Sequence, residues 1–162
     1  PVAFVGNGGI VRTDGNFKPQ TIRDLNRKGL RVAVLQGQAM EEYCRRNAPD
    51  AEVIVIAGGD LTAPLAAVSA GRADIGLMNV VTIQQYASEH PEVSTVLVGD
   101  QQVEILPLAW TTRRGDSESI DFLNASIVYL QSTGRLTEFQ NRYPIRLLYD
   151  VPKLHDLNRA TP

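Results

Sequence analysis

The sequence is poor in the side chains that usually build metal sites and nucleophilic catalytic sites. Cys44 is the single cysteine, and His90 and His155 are the two histidines, among 162 residues. One cysteine cannot close an internal disulfide, and no nearby histidine could activate its thiol, so we expect Cys44 to be a structural residue that is half-buried or at the surface. Both histidines stand in polar, loop-like stretches, without cysteines or paired carboxylates at the spacing of metal ligands, so we expect both to be solvated surface residues. The sequence therefore predicts neither a metal site nor a cofactor.

A surplus of positive charge and a long apolar run are also missing. The formal net charge is −2 and the pI is near 5.7, so nucleic acid is not an expected partner. No apolar run is long enough to span a bilayer, and no basic-then-apolar leader opens the sequence. Because the first residue is Pro1 and not Met, we expect a processed or truncated chain. Its length suits one domain, or one large piece of a two-lobed protein.

The sequence does contain an alternation of strand-like and helix-like segments, which predicts an α/β fold with a mainly parallel, five-stranded sheet. Two candidate strands are almost continuously apolar at their centres, as strands are when helices cover both faces of a sheet. We therefore expect three layers in the order αβα. The candidate strands are "RVAVLQ" (31–36), "EVIVIA" (52–57), "ADIGLMN" (73–79), "STVLVG" (94–99) and "VEILPLAWTT" (103–112).

One helix is predicted between the second and third of these strands. Asp60 or Thr62 is its expected N-cap, and Gly71 is its expected end. Helical spacing places three apolar residues on the face toward the sheet. They are Leu61, Leu65 and Val68.

Two further helices are predicted near the end of the sequence. The first runs from Ser117 to Gly134, and the second is "RLTEFQNRY" (135–143), broken by Pro144. Their expected buried residues are Ile120, Leu123, Ile127 and Leu130 in the first, and Leu136 and Phe139 in the second. The opening segment is expected to be extended, with turns at "GNGG" (6–9) and "TDGN" (13–16). The tail after Asp150 is expected to be peripheral.

Nucleotide-binding motifs are absent from the junction that follows the strand at 31–36. "LQGQAMEEY" has one glycine where a dinucleotide fingerprint needs three, and it has no lysine followed by serine or threonine as in a phosphate-binding P-loop. The adjacent acids Glu41 and Glu42 point in different directions on a helix, so we expect solvated surface residues and not a catalytic pair.

What remains is a strand that ends at a glycine and leads into a helix. Gly37 permits a tight turn, and the free N–H groups from Gln38 onward point outward at the positive end of the helix, where a carboxylate binds as readily as a phosphate. Asn79 ends another strand directly before a helix, and ligands of open α/β sheets sit beyond such carboxyl ends. An ordinary strand-to-helix junction without a ligand is the alternative. Glu41 and Glu42, in the first turn, also oppose anion binding.

The order of motifs resembles the second lobe of bacterial extracellular solute-binding proteins of the polar amino-acid class, which have the type 2 periplasmic binding fold. The similarity covers residues 1–145, and 146–162 is expected to be a C-terminal tail. Family members have a "DL-x-G" segment before a strand, a glycine at a helix start, a "GR-x-DA" turn, and a long helix closed by "DG-x-L" before a final "KY". The matching residues here are Asp24 and Leu25; Gly37 and Gln38; Gly71, Arg72 and Asp74; and Gly134, Leu136, Arg142 and Tyr143.

This resemblance implies capture of a small carboxylate-bearing solute in a cleft between two lobes, and delivery to the permease of an ABC importer. It implies a periplasmic or extracellular location, with or without a membrane anchor, and a first lobe that this sequence lacks. Gly37, Gln38, Ala39, Asn79 and Asp60 are the implied ligand-binding residues. Asn79 stands where amino-acid binders carry an aspartate for the ligand's ammonium group, and an amide cannot pair with a cation in that way. A keto acid, another organic acid or a modified amino acid is therefore an alternative to a standard amino acid.

Two other functions compete with transport. Similar lobes serve as ligand-sensing input domains of receptors or regulators. Some relatives dehydrate cyclic carboxylic acids, as cyclohexadienyl dehydratase does, and such a reaction would need an acid or base in the cleft. Asp60 and Glu104 are the candidates, and neither has a partner in the sequence. We expect a protein without catalytic activity.

Overall fold

The computed structural model describes residues 3–142 and 148–149. The chain divides into two compact units. The first is Gly6–Ile105, and the second comprises Pro1–Val5 and Leu106–Pro162. No helix among the described residues is both long and apolar enough to cross a membrane.

The described elements follow one another as strands and helices along most of the chain. The strands are β1 (Ala3–Arg12), β2 (Arg31–Leu35), β3 (Glu52–Ile56), β4 (Ile75–Asn79), β5 (Val93–Val96), β6 (Ile105–Leu108) and β7 (Leu148–Tyr149). The helices are α1 (Ala39–Asn47), α2 (Ala63–Ser69), α3 (Val80–Glu89), α4 (Ser117–Ser132) and α5 (Arg135–Arg142). Short 3-10 turns lie at Ile22–Leu25 and Gly99–Gln101.

The first unit is built on a sheet with the strand order β3-β2-β4-β1-β5. β2 is parallel to both β3 and β4, whereas β1 is antiparallel to β4 and β5. Four of these five strands therefore point the same way, which confirms the predicted mainly parallel sheet. The predicted number of strands is wrong, because β6 and β7 also pair with β1 and the described sheet has seven strands. The predicted strand at 103–112 is shorter than expected, because β6 ends at Leu108.

Helices cover both faces of this sheet, as predicted. On one face α1 shares a buried cluster with alternate residues of β2 and β4, among them Met40, Val32, Val34, Ile75 and Leu77. α2 packs on β2 and β4, and α3 packs on β4 and β5. Successive side chains of a strand alternate between faces, so Gly76 points away from α1, toward α2. A Cβ on Gly76 would lie 2.7 Å from the carbonyl oxygen of Pro64 in α2.

The turn predicted at "GNGG" is wrong, because β1 runs without interruption through Gly6–Gly9. These glycines serve close packing instead of a change of direction. A Cβ on Gly8 would lie 2.7 Å from the carbonyl oxygen of Leu97, and one on Gly9 would lie 2.9 Å from Cδ1 of Ile75. The turn predicted at "TDGN" is confirmed, with the Gly15 N–H donating to the carbonyl of Arg12.

The ends of α2 agree with the prediction, but one of its expected core residues does not. Thr62 is the N-cap, and Gly71 follows the helix with a φ of +71°. Leu65 and Val68 are fully buried, whereas Leu61 is 45% exposed. Leu61 precedes the helix, which begins at Ala63, so the helical spacing does not extend to it.

In the second unit α4 and α5 pack against each other and are separated by Gly134, which has a φ of +72°. Their bounds confirm the predicted helices. The predicted buried faces are only partly correct, since Ile120 and Phe139 are 44% and 43% exposed. Among the described residues α5 is the helix that packs on α4, and Leu123, Ile127 and Leu130 are half-buried.

β7 was not predicted. It pairs with the start of β1, with Tyr149 opposite Phe4 and Leu148 opposite Val5. Tyr143, Pro144 and the tail after Asp150 lie outside the described residues.

Candidate functional site

Strand direction brings several polar positions to one edge of the first unit's sheet. Because β2, β3 and β4 are parallel, their carboxyl ends meet at this edge, and the antiparallel β1 starts there. We call it the carboxyl edge and define it by Asn7, residues 36–39, Asp60 and Asn79. All five residues predicted to bind a ligand lie at this edge.

The edge has two faces, and the predicted residues divide between them. Met40 in the first turn of α1 belongs to the same buried cluster as Leu77, two residues before Asn79. The start of α1 and the side chain of Asn79 therefore lie on the same face of the sheet. Asp60 follows β3 and leads into α2, on the opposite face. The fold thus brings Gly37, Gln38, Ala39 and Asn79 together and sets Asp60 apart.

The junction between β2 and α1 has the predicted glycine turn and helix start, but the Gln38 N–H is not free as predicted. Gly37 has a φ of +75°, which favours glycine, and Gln38 is the N-cap of α1 without a side-chain capping bond. The Gln38 N–H donates to the carbonyl of Leu35 at 3.2 Å. The Gly37 N–H donates to Oε2 of Glu41 at 2.7 Å. The Glu41 carboxylate of the protein itself therefore accepts the hydrogen bond that the Gly37 N–H could otherwise donate to a ligand.

Glu41 is not the solvated surface acid that the sequence predicted. Its side chain is 18% exposed, and its other carboxylate oxygen accepts a hydrogen bond from Nη2 of Arg45 at 2.8 Å. Because the residue lies one turn beyond Gly37, its carboxylate can reach back to the strand end. Glu42 remains exposed, as predicted. The sequence contained a signal for the hydrogen bond between Glu41 and Gly37, since an acid in the first turn of a helix often accepts from a backbone N–H at the helix start.

Asn79 caps α3 with its side-chain oxygen. Oδ1 accepts from the Thr82 N–H at 2.9 Å and from the Thr82 hydroxyl at 3.1 Å. An N–H can only donate, so the atom facing it must be the amide oxygen. Nδ2 is therefore the part of Asn79 that remains to be offered to another group.

Asn7 was not predicted as a site residue, although it is the buried polar residue that the fold places opposite Asn79. It is 6% exposed. Its N–H donates to the Glu104 carbonyl at 2.8 Å, its carbonyl accepts from the Val103 N–H at 2.8 Å, and Nδ2 donates to the Glu104 carbonyl at 3.2 Å. A polar residue inside an extended apolar segment was the available signal, but "GNGG" was interpreted as a turn.

Two acids were predicted as candidates for catalysis. Hydrogen bonds from the Thr62 hydroxyl and N–H hold the pKa of Asp60 below its usual value, so Asp60 is a stable anion and a poor proton donor. Glu104 is half-buried and lies near Tyr43, whose phenol pKa is raised first by burial and then by Cys44 and Glu104. The structure pairs neither carboxylate with another acid or a histidine among the described residues.

The remaining reactive side chains lie away from the carboxyl edge. Cys44 is fully buried, and not half-buried or at the surface as predicted. Burial raises its pKa to about 12 and makes the thiol inert. His90 is not simply solvated as predicted, because Nδ1 lies 3.0 Å from Oε1 of Glu92 and the ring stacks on Tyr86 at 3.9 Å. His155 lies outside the described residues. No group of metal-ligating side chains occurs within 3–142 and 148–149.

Comparison with known proteins gives matches in structure alone. No protein-family model matches the chain, and no curated protein resembles it in sequence. The ancestral amino acid-binding protein AncCDT-1, a precursor of cyclohexadienyl dehydratase, superposes with a TM-score of 0.71 at 22% identity, over 88% of this chain and 58% of that one. The chain has the fold of one lobe of a type 2 periplasmic binding protein. This confirms the fold that the sequence motifs implied.

Two further solved structures resemble the lobe to a similar degree. A mutant of ArgBP from T. maritima matches with a TM-score of 0.67 at 21% identity, over 88% of this chain and 59% of that chain. The substrate binding protein of an amino acid ABC transporter matches with a TM-score of 0.68 at 15% identity, over 88% of this chain and 60% of that chain. The chain therefore spans less than two thirds of the length of each of these three proteins.

Proposed function

We propose that this chain is one lobe of a two-lobed solute-binding protein, and that its carboxyl edge forms one wall of the cleft. The solute is a small carboxylate-bearing molecule, either an amino acid or a related organic acid. One observation carries the proposal: a carboxylate, that of Glu41, is bound to the Gly37 N–H at 2.7 Å. The junction therefore has the geometry to hold an anion of this kind.

In this proposal the solute exchanges with Glu41. The Glu41 carboxylate occupies the amide in the empty lobe and is displaced toward Arg45, with which it already pairs at 2.8 Å. The solute's carboxylate then accepts from the Gly37 N–H. The free energy of this exchange is small, because a charge-assisted hydrogen bond from the Gly37 N–H to the solute replaces the one to Glu41.

The other lobe is the partner that completes the cleft. Most of the large apolar side chains that are exposed in the described residues belong to the second unit, and α4 has no buried residue. Exposed large apolar side chains that are this numerous in one unit support a contact with another folded part. We assign it to the lobe that this chain lacks. The residues are Leu108, Trp110, Ile120, Phe122, Val128, Tyr129 and Phe139.

Transport is the role that we propose for the complete protein. It would lie in the periplasm or outside the cell and deliver its solute to the permease of an ABC importer. The likeness to the substrate binding protein of an amino acid ABC transporter supports this role. A sensory input domain would use the same lobe and the same edge. Solute uptake by cells that lack the gene, and by cells in which it is restored, separates the two roles.

A dehydratase is the second candidate, favoured by the likeness to a precursor of cyclohexadienyl dehydratase. We propose binding without catalysis, because Asp60 is held as an anion and Glu104 has no proton-transfer partner among the described residues. Incubation of the complete protein with a cyclohexadienyl carboxylate would reveal the aromatic product. Product formation that is lost in Glu104→Gln would replace our proposal with the enzymatic one.

The proposed function is tested by identifying what the complete two-lobed protein binds. Mass spectrometry of the denatured protein should release a small carboxylate, and calorimetry should show that the same compound binds again to the emptied protein. The isolated chain should bind it far more weakly, since half of the contacts and the closure of the cleft are absent. Equal affinity of the isolated chain and the complete protein would contradict the two-lobed cleft.

A further inference from the structure

Asn7 and Asn79 are a pair of amide residues that lie directly opposite each other at the carboxyl edge. They are register partners on the antiparallel strands β1 and β4. Directly opposite residues of antiparallel strands project from the same face with Cβ atoms about 5 Å apart. That face is the one on which α1 begins, because Ile75 and Leu77 of the same strand contribute to the cluster under α1.

Each amide has one half fixed by the fold. Asn79 Oδ1 is held by the N–H and hydroxyl of Thr82, which leaves Nδ2 as a donor. Asn7 Nδ2 donates to the Glu104 carbonyl, which leaves Oδ1 as an acceptor. No described residue donates to Asn7 Oδ1 or accepts from Asn79 Nδ2. Asn7 as a whole is 6% exposed, but its Oδ1 is not among the fully buried side-chain atoms of the described residues that have no hydrogen bond, so this oxygen stays accessible to a solute.

We propose that this pair is a specificity site for an uncharged polar group that both donates and accepts a hydrogen bond, such as a hydroxyl, a carboxamide or a ureido group. Asn79 Nδ2 donates to the oxygen of that group, and Asn7 Oδ1 accepts from its O–H or N–H. The proposal rests on the proposed function and deepens it by naming the second group of the solute. The pair carries no formal charge, so it gives an ammonium or guanidinium group no charge-assisted bond.

Glu104 is the acidic residue whose backbone is hydrogen-bonded to this pair. Its backbone carbonyl is bonded to Asn7, and its side chain lies near Tyr43. If that carboxylate directed recognition, cationic solutes would be preferred. The experiment therefore includes a variant at this residue.

The test uses the complete two-lobed protein and two matched pairs of probes, measured by calorimetry. L-Arginine and L-citrulline differ by a guanidinium against a ureido group, and L-glutamate and its hydroxy-acid analogue differ by an ammonium against a hydroxyl group. The wild-type protein should bind the uncharged member of at least one pair more tightly. Asn79→Asp should shift that ratio toward the cationic member by about tenfold or more, because an ionised acceptor replaces the amide donor.

Two control variants separate specificity from folding. Aspartate caps a helix as well as asparagine does, so Asn79→Asp should keep α3 intact. Asn79→Ser also keeps a residue that caps α3, but it removes the amide. It should weaken the binding of the uncharged probe without strengthening the binding of the cationic probe. Glu104→Gln should leave the wild-type preference unchanged.

The possible outcomes distinguish this inference from the proposed function. If the wild-type protein prefers the cationic member of both pairs, or if Asn79→Asp leaves the ratio unchanged, the specificity site is wrong while solute binding stands. If no probe binds to the wild-type protein or to Asn79→Asp, solute binding at this edge is itself wrong. A preference for the uncharged member that Asn79→Asp reverses supports both.

Discussion

Arg31 and Asp74 form a two-pronged ion pair at the edge of the sheet opposite the carboxyl edge. Nη2 of Arg31 lies 2.7 Å from Oδ1 of Asp74, and Nε donates to Oδ2 at 3.2 Å. The Arg31 N–H also donates to Oδ2 at 2.9 Å. The pair fixes the start of β2 to the residue that precedes β4, and so helps to set the register of the two strands whose other ends form the candidate site.

This clamp should make stability depend on pH. Hydrogen bonds from Arg31 lower the pKa of Asp74, despite the opposing effect of partial burial. A carboxyl whose pKa is lower in the folded state contributes stability above its unfolded value, about 3.9, and loses that contribution as the pH falls through the folded value. Urea unfolding of wild type and Asp74→Asn between about pH 7 and pH 3 should show a flatter acid limb for the variant.

The contribution of the Arg31–Asp74 ion pair to stability can be compared with that of a more exposed ion pair, Arg12–Asp14. Asp74→Asn should cost about 1 kcal/mol at neutral pH, a modest value because the Arg31 side chain is 38% exposed. Asp14, which pairs with Arg12, has a side chain that is 70% exposed, and Asp14→Asn should cost less. If the two variants lose the same free energy of unfolding, the Arg31–Asp74 pair contributes no more to stability than an exposed ion pair does.

Removal of Glu41 should strengthen the binding of a carboxylate solute by the complete protein. In Glu41→Ala the Gly37 N–H no longer has an internal acceptor, so the solute has no competitor for it. A several-fold lower Kd is expected from the loss of one competing charged hydrogen bond. Glu42→Ala is the matched control, because Glu42 is adjacent, acidic and exposed but does not bond Gly37. If calorimetry shows that Glu41→Ala binds the solute with unchanged affinity, the Gly37 N–H does not bind the solute's carboxylate.

Gly76→Ala should destabilise the first unit. The new Cβ would lie 2.7 Å from the Pro64 carbonyl oxygen, a backbone atom that can move only if α2 shifts away from the sheet. Overpacking of this kind typically costs about 1–3 kcal/mol. Gly59→Ala is the control, since that glycine has open space around the Cβ position and no positive φ. The free energies of unfolding of the two variants, measured in urea, should therefore differ clearly.

Cys44 should be unreactive in the folded protein. Burial raises its pKa to about 12, so the thiolate that attacks alkylating reagents is scarce at neutral pH. Mass spectrometry after iodoacetamide treatment should show no labelling of the native protein and complete labelling in urea. Rapid labelling without denaturant would mean that α1 opens frequently.

Local patterns predicted most of the elements, because their causes are local. Apolar runs marked β2, β3 and β4, and the glycines at 71 and 134 ended α2 and the long helix α4 as expected. The failures occurred where a residue's role depends on distant neighbours. The segment "GNGG" forms a strand because it pairs with β4, at positions where Leu97 and Ile75 leave no room for a Cβ on Gly8 and Gly9. Ile120 and Phe139 have the spacing of core residues, but the described residues of their unit leave them 44% and 43% exposed.

The sequence by itself determined the α/β fold, the positions of the strand ends and the junction at Gly37, since periodicity and backbone freedom act over a few residues. Only the tertiary structure decided what meets at those ends. Strand order placed Asn7 opposite Asn79, although they are far apart in the chain, and the packing of α1 directed the Glu41 carboxylate onto Gly37. These relationships depend on which strands pair and in what direction, because hydrogen-bonded register and side-chain reach are properties of the folded chain and not of any segment.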